Sequence, residues 1–377
     1  MHVPDGFIDL PVSAATGVVA VSAVAVALRG ARRELDDRTA PLAGLVAAFV
    51  FAAQMLNFPV AAGTSGHLLG GALAAILVGP CTGLLCVSVV LLMQGILFAD
   101  GGLTALGVNI TDMAVVTTLV GYGVFRALVT VLPRGRRAVT GAAFAAALLS
   151  VPAAALVFTG LYALGGTSDV PLGATLTAMV GVHLLIGVGE AAITALTVGA
   201  VLAVRPDLVY GARPGRGAGG PGAPLKLRVG GELVDAPAPE PSEAPEGPGA
   251  PVRSTRTVRV VALVTALVLA GFVSYYASGA PDGLEKVAAD QGIDRKAEPH
   301  HADGSPLAGY GVEDITDARL SGGLAGVIGV GATVAVGSGV FWAVRRRRTH
   351  GTGAHGTGAH GTAGAPEGTA TGPGGSV

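Results

Sequence analysis

The first two residues of the chain bring together three nitrogens that could bind one metal ion. They are the α-amine of Met1, the backbone amide nitrogen of His2 and the imidazole of His2. Such a set can chelate a divalent ion in a nearly planar arrangement, which suits Ni2+ or Cu2+, and one further nitrogen would complete the plane. Removal of the first methionine normally requires a small second residue, so the bulky His2 predicts that Met1 is retained. The chelate also needs the α-amine of Met1 to be free. The alternative is that His2 is a surface residue near a frayed terminus.

His67 is the candidate for the further nitrogen. It lies in a Gly-rich stretch, residues 61–71, between two apolar segments and two positions after Ser65. Non-helical backbone at membrane depth persists only where it is buried in protein or lines a cavity. The stretch is therefore expected to hold the imidazole inside the protein body. A structural histidine with ordinary hydrogen bonds is the alternative interpretation.

Other polar residues fall inside apolar segments, where ionisable groups are costly and usually functional. His183 and Glu190 are seven residues apart, so two helical turns place them on one face. They could be a polar helix-packing pair; an intramembrane enzyme is disfavoured because no nucleophile stands beside them. Asn109 and Asp112 could hydrogen-bond the imidazoles or cap a helix. The predicted supporting residues are Asp5, Ser65, Asn109, Asp112, His183 and Glu190.

The composition is that of a membrane protein. Of 377 residues, 51% are apolar and only 13% are charged, against about 25% charged in soluble domains, and the mean hydropathy is +0.62. The only two cysteines, Cys81 and Cys86, lie in an apolar stretch, which excludes a disulfide framework. The sequence has no P-loop, nucleophile elbow or nucleic-acid-binding basic patch. We predict an all-α polytopic membrane protein.

Seven apolar spans are predicted in the first part of the chain. Arginine clusters follow the first, fifth and seventh spans, and the positive-inside rule places those ends in the cytoplasm and the N-terminus outside. The predicted spans are residues 12–28, 42–60, 68–78, 82–98, 110–132, 138–164 and 172–204.

The second part of the chain changes composition twice. Residues 214–256 are rich in Pro, Gly and Glu and predict a flexible cytoplasmic linker, within which 225–234 could form a strand pair. Residues 257–345 predict a module of two spans, 258–276 and 323–344, around a polar outer loop at 278–321. Residues 346–377 predict a basic, then His/Gly-rich, disordered cytoplasmic tail that contains His350, His355 and His360.

Three motifs together resemble one known family. Residues 1–7 (Met-His-Val-Pro-Asp-Gly-Phe), the loop 65–71 and residues 183–194 are similar, in this order, to the CbiM/NikM family of substrate-binding (S) components of energy-coupling-factor cobalt/nickel transporters. This domain is assigned to residues 1–213. The segment Pro281-Asp282-Gly283-Leu284-Glu285 resembles the PDGLE segment of the two-span CbiN/NikN-type partner, fused here through the linker.

The resemblance implies a site and partners. The ligands would be the amine of Met1, the amide and imidazole of His2 and the imidazole of His67, and the bound ion would be transported Co2+ or Ni2+, with no permanent cofactor. The implied partners are a transmembrane coupling (T) component and cytoplasmic ATPases. The chain would lie in the plasma membrane and would be a transporter subunit rather than an enzyme. The alternative is a metal-buffering or scaffold membrane protein without transport of its own. The sequence leaves open whether the transported ion is cobalt or nickel. It also leaves open whether that ion supplies cobalamin synthesis or a nickel enzyme.

Overall fold

The computed structural model describes residues 1–35, 40–61, 63–133, 135–213, 226–229, 232–235 and 254–349. Helices dominate these residues, and the prediction of an all-α architecture is confirmed. The helices of the first module are α1 (Leu10–Glu34), α2 (Ala40–Gln54), α3 (Gly71–Val78), α4 (Pro80–Leu97), α5 (Leu106–Asn109), α6 (Thr117–Val131), α7 (Arg136–Gly165) and α8 (Leu172–Val204). A π-helical turn, Ile110–Val116, joins α5 to α6.

The first helix shows how the sequence starts an element near the N-terminus. The Asp9 side chain accepts a hydrogen bond from the Val12 amide at 2.9 Å, which caps α1, and Pro11 stands in the first turn, where no amide hydrogen is needed. The cap fixes where the helix begins. Residues 1–8 lie before this helix and follow a separate, non-helical path.

Within the described residues, seven helices are long and apolar enough to cross a membrane, which confirms a polytopic membrane protein. They are Leu10–Glu34, Pro80–Leu97, Leu106–Val131, Arg136–Gly165, Leu172–Val204, Thr255–Tyr276 and Ala318–Arg346. The two remaining apolar helices, α2 with 15 residues and α3 with 8, are shorter than the roughly 20 residues of a complete span.

The predicted spans 42–60 and 68–78 are too long as helices. Helix α2 stops at Gln54, because Phe58–Pro59 forms strand β1 and pairs with Ser65–Gly66, strand β2. Pro59 has no amide hydrogen and cannot continue a helix. Helix α3 begins only at Gly71, so His67 lies on non-helical backbone between the two short helices.

The second module packs directly on the first. It contains α9 (Thr255–Gly271), α10 (Gly283–Gln291) and α11 (Ala318–Thr349). Helices α9 and α11 contact α2, and α10 contacts α8. The suggested strand pair is present as β3 (Lys226–Val229) and β4 (Glu232–Asp235). The rest of the predicted linker up to residue 253, and the tail from 350 onward with His350, His355 and His360, lie outside the described residues.

One close contact joins the two modules at α11. A Cβ atom added to Gly329 would overlap the Phe51 ring of α2 and would lie 2.8 Å from Cζ of Phe98. Phe51 and Phe98 are buried and form an aromatic cluster with Tyr310, with ring centroids 4.8–6.5 Å apart. Only a residue without a side chain fits at position 329.

We expect Gly329→Ala to destabilise the junction of the modules. Overpacking of this kind costs about 1–3 kcal/mol of unfolding free energy, which should appear as a lower thermal unfolding midpoint of the detergent-solubilised protein. Gly331→Ala is the matched control on the same helix, because nothing lies within 4 Å of its added Cβ. Equal midpoints for the two variants would contradict the close packing.

Candidate metal centre

The N-terminal segment is held by side chains and loops of the first module. Asn109 makes a two-way pair with Val3, accepting from its amide at 2.7 Å and donating to its carbonyl at 3.1 Å. The Gly102 amide also donates to the Val3 carbonyl at 2.8 Å. The buried Asp5 carboxylate accepts hydrogen bonds from the backbone of Leu103 and Thr104. The start of the chain is therefore built into the protein.

The α-amine of Met1 lies in the interior. Met1 is 2% exposed, and its amine stands 2.6 Å from Nε2 of His67 and 2.6 Å from Oδ2 of Asp282. A buried ammonium group is costly unless it is paired and hydrogen-bonded, and here both neighbours accept from it. The alternative of a frayed terminus is wrong for this chain.

His67 presents a lone pair to the amine. Its Nδ1 lies 3.0 Å from the Leu68 carbonyl oxygen, which can only accept, so Nδ1 carries the hydrogen. In this tautomer the lone pair is on Nε2, the atom that faces Met1. A hydrogen bond to the far nitrogen fixes the tautomer in the same way at protein-bound metals.

His2 completes the group of nitrogens. Its ring stacks on that of His67 with centroids 5.1 Å apart. Nε2 lies 3.1 Å from Oε1 of Gln94, and Nδ1 lies 3.3 Å from Oδ1 of Asp100. Burial, against the opposing charge of Asp100, lowers the pKa of His2 to about 4, so the ring is neutral near pH 7. No described residue accepts a hydrogen bond from the His2 amide.

The loop that carries His67 is fixed from two sides. The Glu190 carboxylate of α8 accepts from the amides of Leu69 at 2.6 Å and Gly70 at 3.0 Å. On the other side Ser65 bonds the second module: its hydroxyl donates to the Ala280 carbonyl and its amide to the Pro281 carbonyl. Gly70 has a positive φ of 88°, which glycine adopts without strain, and so lets the loop turn into α3.

Three expectations for the supporting residues need correction. Asn109 bonds the backbone of Val3 rather than an imidazole, because the extended N-terminal segment satisfies its amide. Asp112 lies in the π-helical turn, is buried, and its carboxylate has no hydrogen-bond partner among the described residues, so it neither caps a helix nor holds a histidine. His183 donates to the Met179 carbonyl while Glu190 bonds the His67 loop, so they do not form a polar pair.

Asp282 is the functional candidate that sequence reasoning missed. In the sequence Asp282 stands out only as part of the PDGLE motif. A carboxylate in a motif that resembles a partner protein is a signal that could identify such a shared site. Burial alone would raise the pKa of its carboxyl, but the Met1 ammonium and His67 hold that pKa well below its ordinary value. His2, His67 and Asp282 each offer one donor atom, and these atoms all lie within 4.8 Å of one another.

A cavity of about 550 Å³ reaches this group of donors. Its polar lining includes Asp100 and Tyr310, and the Tyr310 hydroxyl donates to Asp100 at 2.6 Å. Burial and the Asp100 charge raise the pKa of Tyr310 well above its ordinary value, so this hydroxyl keeps its proton. His2, His67 and Asp282 all line this cavity.

The fold and site define a polytopic helical membrane protein with a buried cluster of nitrogen donors beside the carboxylates of Asp100 and Asp282. The family model described as "Cobalt uptake substrate-specific transmembrane region" (CbiM) matches residues 2–208, and a PDGLE domain matches residues 256–346. The chain therefore belongs to the CbiM family of cobalt and nickel transport proteins and carries a fused PDGLE domain.

Several known proteins are similar to parts of this chain. A provisionally named metal transport protein of Haloquadratum walsbyi is 45% identical over 157 residues, 42% of this chain and 69% of that protein. The fused nickel transport protein NikMN of Rhodobacter capsulatus is 42% identical over 125 residues, 33% of this chain and 36% of that protein, so the match spans about a third of that relative. A solved truncated transition metal transporter is 30% identical, with 54% of this chain and 99% of that chain covered at a TM-score of 0.48.

We predict that Glu190→Ala weakens metal binding although Glu190 touches none of the candidate ligands. The substitution leaves the Leu69 and Gly70 amides without their acceptor and frees the loop that positions His67. Loss of such supporting bonds typically costs about 10–100-fold in metal affinity. Calorimetric titration of the purified protein with Ni2+ measures it, with the exposed Glu313→Ala as control. Unchanged affinity in both variants would contradict the positioning role.

Proposed function

We propose that the chain is the substrate-binding component of an energy-coupling-factor importer that takes up Co2+, Ni2+ or both. The carrying observation is the buried amine of Met1, 2.6 Å from Nε2 of His67, with the His2 ring stacked on His67 at 5.1 Å. In this proposal the amine, the amide and ring of His2 and the ring of His67 bind the ion before it is transported.

The donor set supports a transition metal as substrate. Mg2+ and Ca2+ prefer oxygen ligands, whereas amine, amide and imidazole nitrogens suit late first-row ions. Raw affinity in such a site should rise from Co2+ to Ni2+ to Cu2+. Which ion is carried in the cell then depends on supply and on the groups that surround the nitrogens.

The proposal extends to orientation and energy. Arg32 and Arg33 in the last turn of α1 support a cytoplasmic end there, with the N-terminus and the site outside and the C-terminus in the cytoplasm. The sequence contains no Walker-type phosphate-binding motif. Uphill uptake would therefore draw on cytoplasmic ATPases through a transmembrane coupling partner, and release inward would follow rearrangement in that complex.

We predict that His2→Ala and His67→Ala each abolish accumulation of radioactive cobalt and nickel while membrane insertion is unchanged. Each variant removes one imidazole from the proposed ligand set. The measurement is uptake by cells that also make the coupling and ATPase partners, with protein in the membrane fraction determined in parallel. His301→Ala is the control, because His301 is exposed.

Normal accumulation in both variants would rule the site out.

Deletion of residues 349–377 separates transport from the scaffold and metal-buffering alternative. We expect uptake to survive without the repeated histidines, whereas loss of all metal binding in the deletion would favour the buffer.

Metal binding should weaken as the pH falls. Each amine or amide nitrogen that becomes a ligand releases its proton, so apparent affinity drops about tenfold per pH unit for each proton released. The His2 ring contributes nothing to this dependence above its pKa of about 4. Titration calorimetry in buffers of different ionisation enthalpy counts the protons. Binding near neutral pH with no proton release would show that neither the amine nor the amide is a ligand.

A further inference from the structure

Asp282 brings an oxygen atom from the second module into the group of nitrogens of the first. Its Oδ1 accepts from the Glu285 amide at 2.9 Å and caps α10, while the Glu285 side chain accepts from the Asp282 amide at 2.8 Å. Oδ1 alone is enough for the cap. Oδ2 is left for another partner, and it points at the amine of Met1.

The position of this carboxylate is set by contacts of three neighbouring residues, Ala280, Pro281 and Gly283. The Ala280 and Pro281 carbonyls accept from Ser65 on the His67 loop. A Cβ added to Gly283 would lie only 2.8 Å from the Ile186 side chain and 3.0 Å from the His183 ring of α8. Asp282 therefore stands between two fixed neighbours. Its approach to the nitrogens is built into the fold rather than left to a mobile loop.

The distances suit one shared ion. Oδ2 lies 3.5 Å from Nε2 of His67, and the donor atoms of His2, His67 and Asp282 all lie within 4.8 Å of one another. Ligands about 2.0–2.1 Å from an ion stand roughly 3 Å apart when adjacent and about 4 Å apart when opposite. A single ion could reach all three donors with small side-chain movements.

The charge of the Asp282 carboxylate also favours a bound cation at this position. Asp282 is 7% exposed, and its carboxylate faces the Met1 ammonium. An ion bound by the amine nitrogen would lie beside Oδ2, which stands 2.6 Å from that nitrogen. A buried carboxylate needs a partner or a metal, and the incoming ion is the nearest cation.

We propose that Oδ2 of Asp282 is a ligand of the transported ion, so that the PDGLE domain supplies an oxygen to a site whose nitrogens come from the first module. The assignment rests on the proposed function and adds to it. The oxygen adds a donor to the planar nitrogen set. It should raise the affinity of the site for Co2+, which takes mixed nitrogen and oxygen ligands at a higher coordination number.

The magnetic state of bound Ni2+ tests this assignment. In a planar field of nitrogens Ni2+ pairs all of its d electrons and is diamagnetic, whereas an added oxygen ligand leaves unpaired electrons. We expect full-length protein in nanodiscs, loaded with one equivalent of Ni2+, to be paramagnetic. Asp282→Asn keeps an oxygen to cap α10 but removes the anionic ligand. This variant should hold diamagnetic Ni2+ with a planar visible absorption band and lose about tenfold or more in Co2+ affinity.

Glu285→Ala is the matched control, because it removes one hydrogen bond of the same cap and leaves the Asp282 carboxylate in place. Its Ni2+ should stay paramagnetic. Ni2+ with the same magnetic state in wild type and Asp282→Asn overturns the assignment while the importer proposal stands. A diamagnetic wild type overturns it without any variant, so the test does not depend on the folding of Asp282→Asn. Failure of the wild type to bind either ion overturns both proposals.

Discussion

A buried amino terminus is the constraint on which the rest of this structure depends. A charged amine inside a protein must be paired, and a terminal amine can be placed there only if the backbone behind it is held. The chain meets both requirements. His67 and Asp282 accept from the amine, and Asn109 holds Val3 through both of its backbone groups. The contacts of Val3 and Asp5 hold the segment that carries this amine.

The same constraint explains the irregular backbone near the site. Residues 55–70 do not form a continuous helix, because the short β1–β2 pair lies between α2 and α3 and α3 begins only at Gly71. The loop amides then need acceptors, and Glu190 from the middle of α8 supplies them. An acidic residue inside an apolar helix is costly. Here its role is to fix the loop that presents an imidazole to the amine.

Much of the architecture follows from sequence patterns. Long apolar runs ended by arginine clusters predict the helices, since length and charge control insertion. The meeting of Met1, His2 and His67 was predicted from residue types and from the resemblance of three motifs. Asp282 was missed because nothing local links residues 1 and 282, and only tertiary contact between the modules brings them together. The helix end at Gln54 was missed because apolar residues continue to Val60 while Pro59 favours a strand.

The central claim is that the free α-amine is part of the metal site. The most direct test leaves every side chain intact and moves only the amine. A protein with two extra residues before Met1 should lose high-affinity Ni2+ binding in calorimetric titration, while the same extension at the C-terminus should leave binding unchanged. Equal affinity for the native and the N-terminally extended protein would contradict the account.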